Sequence, residues 1–208
     1  LSGNTDCYQP AERHFGLTRA CLKVFLKYRH PVGIITKNAM LLRDLDILKA
    51  LNRDNLIRVH ISVTSLDKNL RSLLEPRTTT TAQRLKTIEI LSGAGIPVKA
   101  RAVSEAGAGS FGLNVVRLNG AVGSVFTAWI KKALPGQAEK VLSQIRACHG
   151  GKLNDSRFGL RNKGEGPVAE QIHHMARVAR MRYFKDREVP PLNTTLHEQY
   201  KTGQLRLF

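Results

Sequence analysis

The chain has 208 residues, 42% of them hydrophobic and 24% charged, enough for one full domain or a domain with an extension. This ordinary globular composition excludes a disulfide-stapled mini-protein and a chain disordered throughout. Lysine and arginine number 33 against 16 carboxylates, a net charge of +17 that exceeds what solubility needs and suits a polyanion, nucleic acid first.

A solvated basic surface with no specific partner is the competing reading of that charge. The excess is spread evenly, with 17 basic against 8 acidic residues over 1–104 and 16 against 8 in the remainder, so it is not a basic disordered arm. Cys7, Cys21 and Cys148 are odd in number and widely spaced, which predicts free thiols in a reducing cytoplasm. No apolar run approaches the roughly 20 residues that span a bilayer, and no signal peptide opens the chain. A soluble cytoplasmic protein with no membrane partner is expected. The first residue is Leu1 and not methionine, so the chain reads as a fragment of something longer.

Taken in order, Leu17, Cys21, Val24, Phe25 and Tyr28 form an apolar stripe with Arg19, Lys23 and Lys27 opposite, which predicts a helix closed by Pro31. The run VGIIT at 32–36 predicts a strand buried on both faces of a parallel sheet. Leu45, Leu48 and Leu51 behind Asp44 predict a short helix with Asp44 as its N-cap, and IRVHISV at 57–63 the next strand. Thr80 caps a helix over 81–91 that stops at Gly93 and Gly95, and a strand begins at 96–99. The threonine run 78–81 reads as a loop with a helix cap.

This alternation predicts βα units with right-handed crossovers and function at the C-terminal strand ends, where Lys37, Ser62 and Thr64 fall. Only about a dozen residues then precede a predicted strand at 113–118, barely the minimum for a parallel crossover. Helices over 122–134 and 138–148, a glycine-rich basic loop, a helix from Pro167 to about Arg182 and a polar tail complete the chain.

Gly107, Gly109 and Gly112 fit G-x-G-x-x-G, but they precede a strand where a dinucleotide loop precedes a helix, and Lys132 stands where an acidic residue would hold a ribose. A dinucleotide fold is excluded. No phosphate-loop, nucleophile-elbow or H-E-x-x-H motif occurs, and adjacent His173 and His174 on a helix point in different directions. The opening segment SGNTDCYQPAE is the richest in chemistry, placing small and polar side chains at what reads as a strand end; a capped strand-helix loop explains it equally.

The runs SGNTDCYQPAERHFGLTRACLKV, IITKN at 34–38, ISVTSLD at 61–67, LEPR with a later Arg84, and GGKLNDSRFGLRNKGEGP resemble, in that order, the spore photoproduct lyase-like radical S-adenosylmethionine (SAM) proteins, also described as DNA repair photolyase-like. The resemblance spans 1–98 and resumes over 105–170. It implies an α/β fold, an incomplete (βα)6 partial TIM-like barrel of parallel strands over 1–118, with a mainly helical C-terminal extension over 119–208. It also implies a [4Fe-4S] cluster and SAM at the strand ends, and an external electron donor.

By the same resemblance Lys37 meets the SAM carboxylate, Ser62 and Thr64 bond its methionyl or ribose portion, and Thr5 and Asp6 lie beside its amino group. Glu75 and Arg84 brace the following loop and helix near the cofactor. Cys7 is the candidate for returning a hydrogen atom to a substrate radical, or a plain loop thiol. Two departures stand out. The C-x-x-x-C-x-x-C that holds the family's cluster is absent, and is expected upstream of Leu1 in a longer protein; a loop the family carries near 99–104 is shortened.

Lys152, Arg157, Arg161 and Lys163, set among glycines, suit phosphate contacts of a nucleic acid, or form a basic loop over the barrel mouth. The terminal QLRLF resembles a peptide that docks on the bacterial sliding clamp through Gln204, Leu205, Leu207 and Phe208; a terminal strand tucked onto the fold is the alternative. Two functions follow: radical SAM chemistry on a nucleic-acid base, or a cluster-less remnant that binds nucleic acid or a clamp.

Overall fold

Three short β-branched runs build the sheet in the computed structural model, which describes residues 1–2, 5–100 and 105–201. Strands β1 (Val32–Thr36), β2 (Ile57–Ile61) and β3 (Val98–Ala100) pair in parallel in that order. Val32 lies opposite Ile57 and Val59 opposite Val98. Such pairing requires a crossover between strands. Ahead of β1 come α1 (Glu12–Phe15) and α2 (Leu17–Lys27); a 3₁₀ helix (Ala39–Asp44) and α3 (Leu45–Arg53) join β1 to β2, and α4 (Lys68–Leu74) and α5 (Thr81–Gly93) join β2 to β3. The α/β class and parallel order hold. Among the described residues the sheet has three strands, and the described part of the opening segment carries none, although the Leu1 ammonium donates to the Gly33 carbonyl beside β1 at 2.6 Å.

The core lies on one face of this sheet. Val32, Ile34, Ile57, Val59, Ile61 and Val98 are buried together with Leu22, Ile47, Leu48, Leu51, Ile88 and Leu91 from α2, α3 and α5. Each such side chain taken from water contributes roughly 1.5–3 kcal/mol. The expectation that β1 is buried on both faces is corrected: Ile35 is 48% exposed, and Arg58 and His60 on β2 and Lys99 on β3 are half-buried. Alternate side chains point to opposite faces, so these four share the face that the helices leave uncovered.

The chain divides into two units, Leu1–Gly112 with Asp186–Phe208, and Leu113–Lys185. In the first, the Gly107, Gly109 and Gly112 triplet serves packing. Gly107 has φ of +86°, and a Cβ there would lie 2.5 Å from the Ser92 hydroxyl, which donates to the Gly107 carbonyl. The returning segment is tied to the same unit, with Arg58 donating to the Pro190 carbonyl at 2.7 Å and the Asn193 amide to Asn55 at 2.9 Å.

The second unit is built from α6 (Ala121–Ala133), α7 (Pro135–Ala147) and α8 (Gly166–Tyr183). Ile130, Ala138 and Leu142 form one of its cores, flanked by Phe126, Trp129 and Leu153. Residues 113–118, expected as a strand, join no ladder. Their backbone is satisfied by the basic loop instead: Val115 donates to Asn162 and Leu118 to Leu153, both at 2.8 Å. This burial of Val115 and Leu118 explains the strand-like apolar pattern. A last helix, α9 (Glu198–Lys201), follows in the returning segment. Among the described residues no helix is long and apolar enough to cross a membrane.

Thr80 heads α5 with a full capping box: its hydroxyl accepts from the Gln83 amide and the Gln83 side chain accepts from the Thr80 amide. Thr80→Ala is expected to cost about 1 kcal/mol, read as a lower urea midpoint with an unchanged denaturant slope.

Candidate functional site

Polar side chains converge where β1 and β2 end. The Thr36 hydroxyl and the Lys37 amide donate to the two oxygens of Asp6, at 2.7 and 2.8 Å. Asn38 donates through its side chain to the Tyr8 carbonyl at 2.7 Å. Cys7 sits between these two anchors, so the opening segment is fastened to the end of β1 on both sides of its thiol. Burial is the main influence on that thiol, and with the Asp6 charge it pushes its pKa up against a smaller opposing contribution from Ser2. The group is therefore S–H at neutral pH.

The second anchor is Glu75, just past α4. Its Oε1 takes the Lys37 ammonium at 2.6 Å and the Thr64 hydroxyl at 2.7 Å, while Oε2 takes the Arg84 guanidinium at 2.8 Å. Arg84, on α5 and only 1% exposed, also donates to the Ser62 carbonyl at 2.8 Å and the Thr79 carbonyl at 3.0 Å. One carboxylate and one guanidinium thus join the ends of both strands to the start of α5. Burial works against ionisation of Glu75, but hydrogen bonds from Lys37, Thr64 and Arg84 outweigh it and hold the carboxyl at about 2.

Of the residues expected at this site, Asp6, Lys37, Thr64, Glu75 and Arg84 are drawn into these two hydrogen-bonded knots. Ser62 joins through its backbone, its amide donating to the Thr36 carbonyl. Thr5 stands exposed beside Asp6. The Lys37 side chain is 44% exposed, so an incoming carboxylate can share its charge with Glu75. An ammonium and a serine on adjacent strand ends suit the amino-acid end of a ligand.

Asp44, expected to cap α3, makes no capping bond. It is fully buried and accepts from Tyr8 Oη at 3.0 Å, Arg43 Nε at 2.9 Å and Arg19 Nη1 at 2.9 Å. Arg43 reaches on to buried Glu12, whose carboxylate also takes the Thr18 amide at 2.9 Å. Burial opposes the charge on Asp44, and the bonds from Arg43, Arg19 and Tyr8 more than offset it, leaving its pKa lowered. This network fixes the segment that carries Asp6 and Cys7.

The other expected sites lie elsewhere. Lys152, Arg157, Arg161 and Lys163 belong to the Leu113–Lys185 unit, where Arg157 is bound to Asp155 and Glu165. Gln204, Leu205, Leu207 and Phe208 lie outside the described residues. Among the described residues no group of three or more His, Cys, Asp or Glu side chains could hold a metal ion. Cys21 is exposed, Cys148 is buried, and the two occupy different units. These residues do not fit an iron-sulfur cluster.

The sequence profile of the radical SAM superfamily matches residues 1–104, the stretch that holds both knots. The chain belongs to the radical SAM superfamily. It is similar to an uncharacterized protein of Methanocaldococcus jannaschii, at 32% identity over 46% of this chain and 36% of that one. An uncharacterized Mycobacterium tuberculosis protein is 27% identical over 65% of this chain and 46% of its own length. The chain therefore spans less than half of the curated relatives it matches. No solved structure matches it.

Reading this radical SAM chain as sequence alone misses Asn38 and the wiring role of the threonine run. Thr79 donates to Asn38 at 3.3 Å, Thr78 accepts from Arg84 at 2.7 Å, and Thr81 donates to the Ser65 carbonyl at 2.9 Å. The density of hydroxyls next to a glutamate and an arginine was the available signal.

Because Glu75 ionises at about 2 when folded and near 4.5 otherwise, its stabilisation is complete above about pH 4.5 and disappears as pH falls toward 2. Glu75→Gln is expected to remove about 3 kcal/mol at neutral pH and to flatten that acid limb, measured as urea midpoint against pH. Arg84→Met, which leaves Glu75 Oε2 without its guanidinium while Lys37 and Thr64 stay on Oε1, is expected to cost roughly 3 kcal/mol in the same assay.

Proposed function

We propose that this chain forms the SAM-binding part of a radical SAM enzyme of the spore photoproduct lyase-like group, with a nucleic-acid base as substrate. The observation that carries the reading is the pairing of Lys37, at the end of β1, with Glu75, just past α4, inside the matched stretch. A bound SAM supplies, on one-electron reduction, a carbon radical able to take hydrogen from an unreactive C–H bond. Lys37 holds the SAM carboxylate, with Glu75 and Arg84 fixing where the ammonium stands. Ser62 and Thr64 bond the methionyl or ribose portion, and Asp6 and Thr5 flank the amino group. The cluster thiolates are not among the described residues, and no role for this chain is assigned through them. The strand count of a (βα)6 barrel belongs to the same proposal.

Cys7 is the hydrogen donor in this reading: its S–H bond breaks as the substrate's C–H bond forms, and an electron from the external donor with a proton from solvent returns the resulting thiyl radical to the thiol. A thiol returns a hydrogen atom only while it keeps its proton, and burial favours that form here. The half-buried bonds of Asp6 and the buried Asp44 network hold the segment that carries this residue to the end of β1. The charge of +17 supports a polyanionic substrate.

SAM binding to this chain by calorimetry is the direct test, with Lys37→Met expected to weaken it about tenfold or more, as for loss of a charge-assisted bond of roughly 1.5–3 kcal/mol. No heat of binding at millimolar SAM, or an unchanged affinity in Lys37→Met, overturns the cofactor assignment. Anaerobic reconstitution of the longest reading frame that contains this chain tests the activity, with 5′-deoxyadenosine as the readout. An iron-free, inert product favours the cluster-less binding module instead.

A further inference from the structure

Phe158 is 92% exposed, at the tip of the glycine-rich loop of the Leu113–Lys185 unit. The loop is not slack. Arg157 is clamped between Asp155 and Glu165, the Arg161 amide donates to the Arg157 carbonyl at 2.9 Å, and the Gly164 amide to Leu160 at 2.8 Å. A rigid turn therefore holds an open aromatic ring out to water, which a hydrophobic side chain does not favour on its own account. The Arg161 guanidinium lies 5.8 Å from the ring centroid, at cation–π range. Lys152, Arg161 and Lys163 around it are exposed and have no carboxylate partner among the described residues. The unit as a whole carries thirteen lysines and arginines against four carboxylates.

We propose that this loop binds single-stranded nucleic acid, with a base stacked on Phe158 and the adjoining phosphates held by Lys152, Arg161 and Lys163. The inference deepens the nucleic-acid reading above and rests on it for the substrate class. An open aromatic face in a basic surround is the stacking platform that unpaired bases require. Duplex bases hide their faces in the helix, and an acidic peptide would use the cations but leave the ring uncovered. Arg157 is taken up by its two carboxylates, so it shapes the loop and does not bind phosphate. Beside the loop lies a cleft of about 780 Å³ walled by Leu118, Gly120, His149, Lys152 and Asn154, a size that accepts one nucleotide. His149 is fully buried there, with Nε2 donating to the Val116 carbonyl and Nδ1 left without a hydrogen-bond partner.

Fluorescence anisotropy of this chain with labelled single-stranded DNA and RNA of about twelve nucleotides tests the site, since it needs neither cluster nor SAM. Phe158→Ala is expected to weaken binding by roughly tenfold or more with an unchanged urea midpoint, Phe158→Trp to restore it, and the new tryptophan to lose emission on binding. Lys152→Ala is expected to lower the slope of log affinity against log salt by about 0.7. Equal affinity in Phe158→Ala, equal binding of duplex, or displacement by polyglutamate at matched charge overturns the proposal, the last outcome in favour of an acidic protein partner. If these bind as expected while the longer chain yields no 5′-deoxyadenosine, the site stands without the enzyme. If 5′-deoxyadenosine forms and no strand binds, the enzyme stands with another substrate.

Discussion

Three elements that are distant in sequence end on a single carboxylate. Lys37 from the end of β1, Thr64 from beyond β2 and Arg84 from α5 all meet Glu75, and Arg84 carries the connection on to the Ser62 and Thr79 carbonyls and the Thr78 hydroxyl. A carboxylate with one-tenth of its surface open would be costly if unpaired, so the arrangement exists only as a whole. Its effect is positional. Of the two charged donors, Arg84 is buried and Lys37 keeps 44% of its side chain open, so the buried pair fixes where that ammonium stands at the strand ends.

The Asp44 cluster fixes the segment that carries Asp6. Tyr8, Arg19, Arg43 and Glu12 surround the buried carboxylate and pin α1 and α2 against the 3₁₀ helix, leaving Asp6 free to fasten the end of β1. In low-dielectric surroundings such paired groups tolerate little displacement, because any partner that leaves strands the other. Thr36, Lys37 and Asn38 run between the two clusters, bonded to Asp6, Glu75, the Tyr8 carbonyl and Thr79. That three-residue stretch is where the positioning of a cofactor would be most sensitive to substitution.

Much of this architecture is legible in the residue pattern, because a parallel βα unit writes itself in β-branched runs followed by capped amphipathic stretches. α2, α3, α5 and the three strands fall where periodicity and the Thr80 cap put them. What periodicity cannot carry is partner choice. Asp44 has the sequence position of a cap and spends its oxygens on its neighbour Arg43, on Arg19 from α2 and on Tyr8 from the opening segment. The threonine run has the composition of a loop and contributes hydroxyls to Asn38 and Arg84. Residues 113–118 have a strand's alternation and find their backbone partners in a loop. The two-faced burial expected of β1 fails for a related reason: an apolar run indicates that a strand can be covered, and the covering depends on elements elsewhere in the chain.

The connectivity carries a consequence for how the protein is made. The chain leaves its first unit at Gly112, builds a second one, and returns at Asp186 to lay Pro190 on Arg58 and Asn193 on Asn55. A ribosome must therefore emit the whole inserted unit before the sheet receives its last contacts, and until then the N-terminal portion waits unfinished with its uncovered face in water. Seventy-odd residues must be spanned before that return, and each doubling of such a loop adds about 0.6 kcal/mol to the entropy of closing it. The tail therefore closes the sheet's unit late in synthesis, through Arg58 and Asn55.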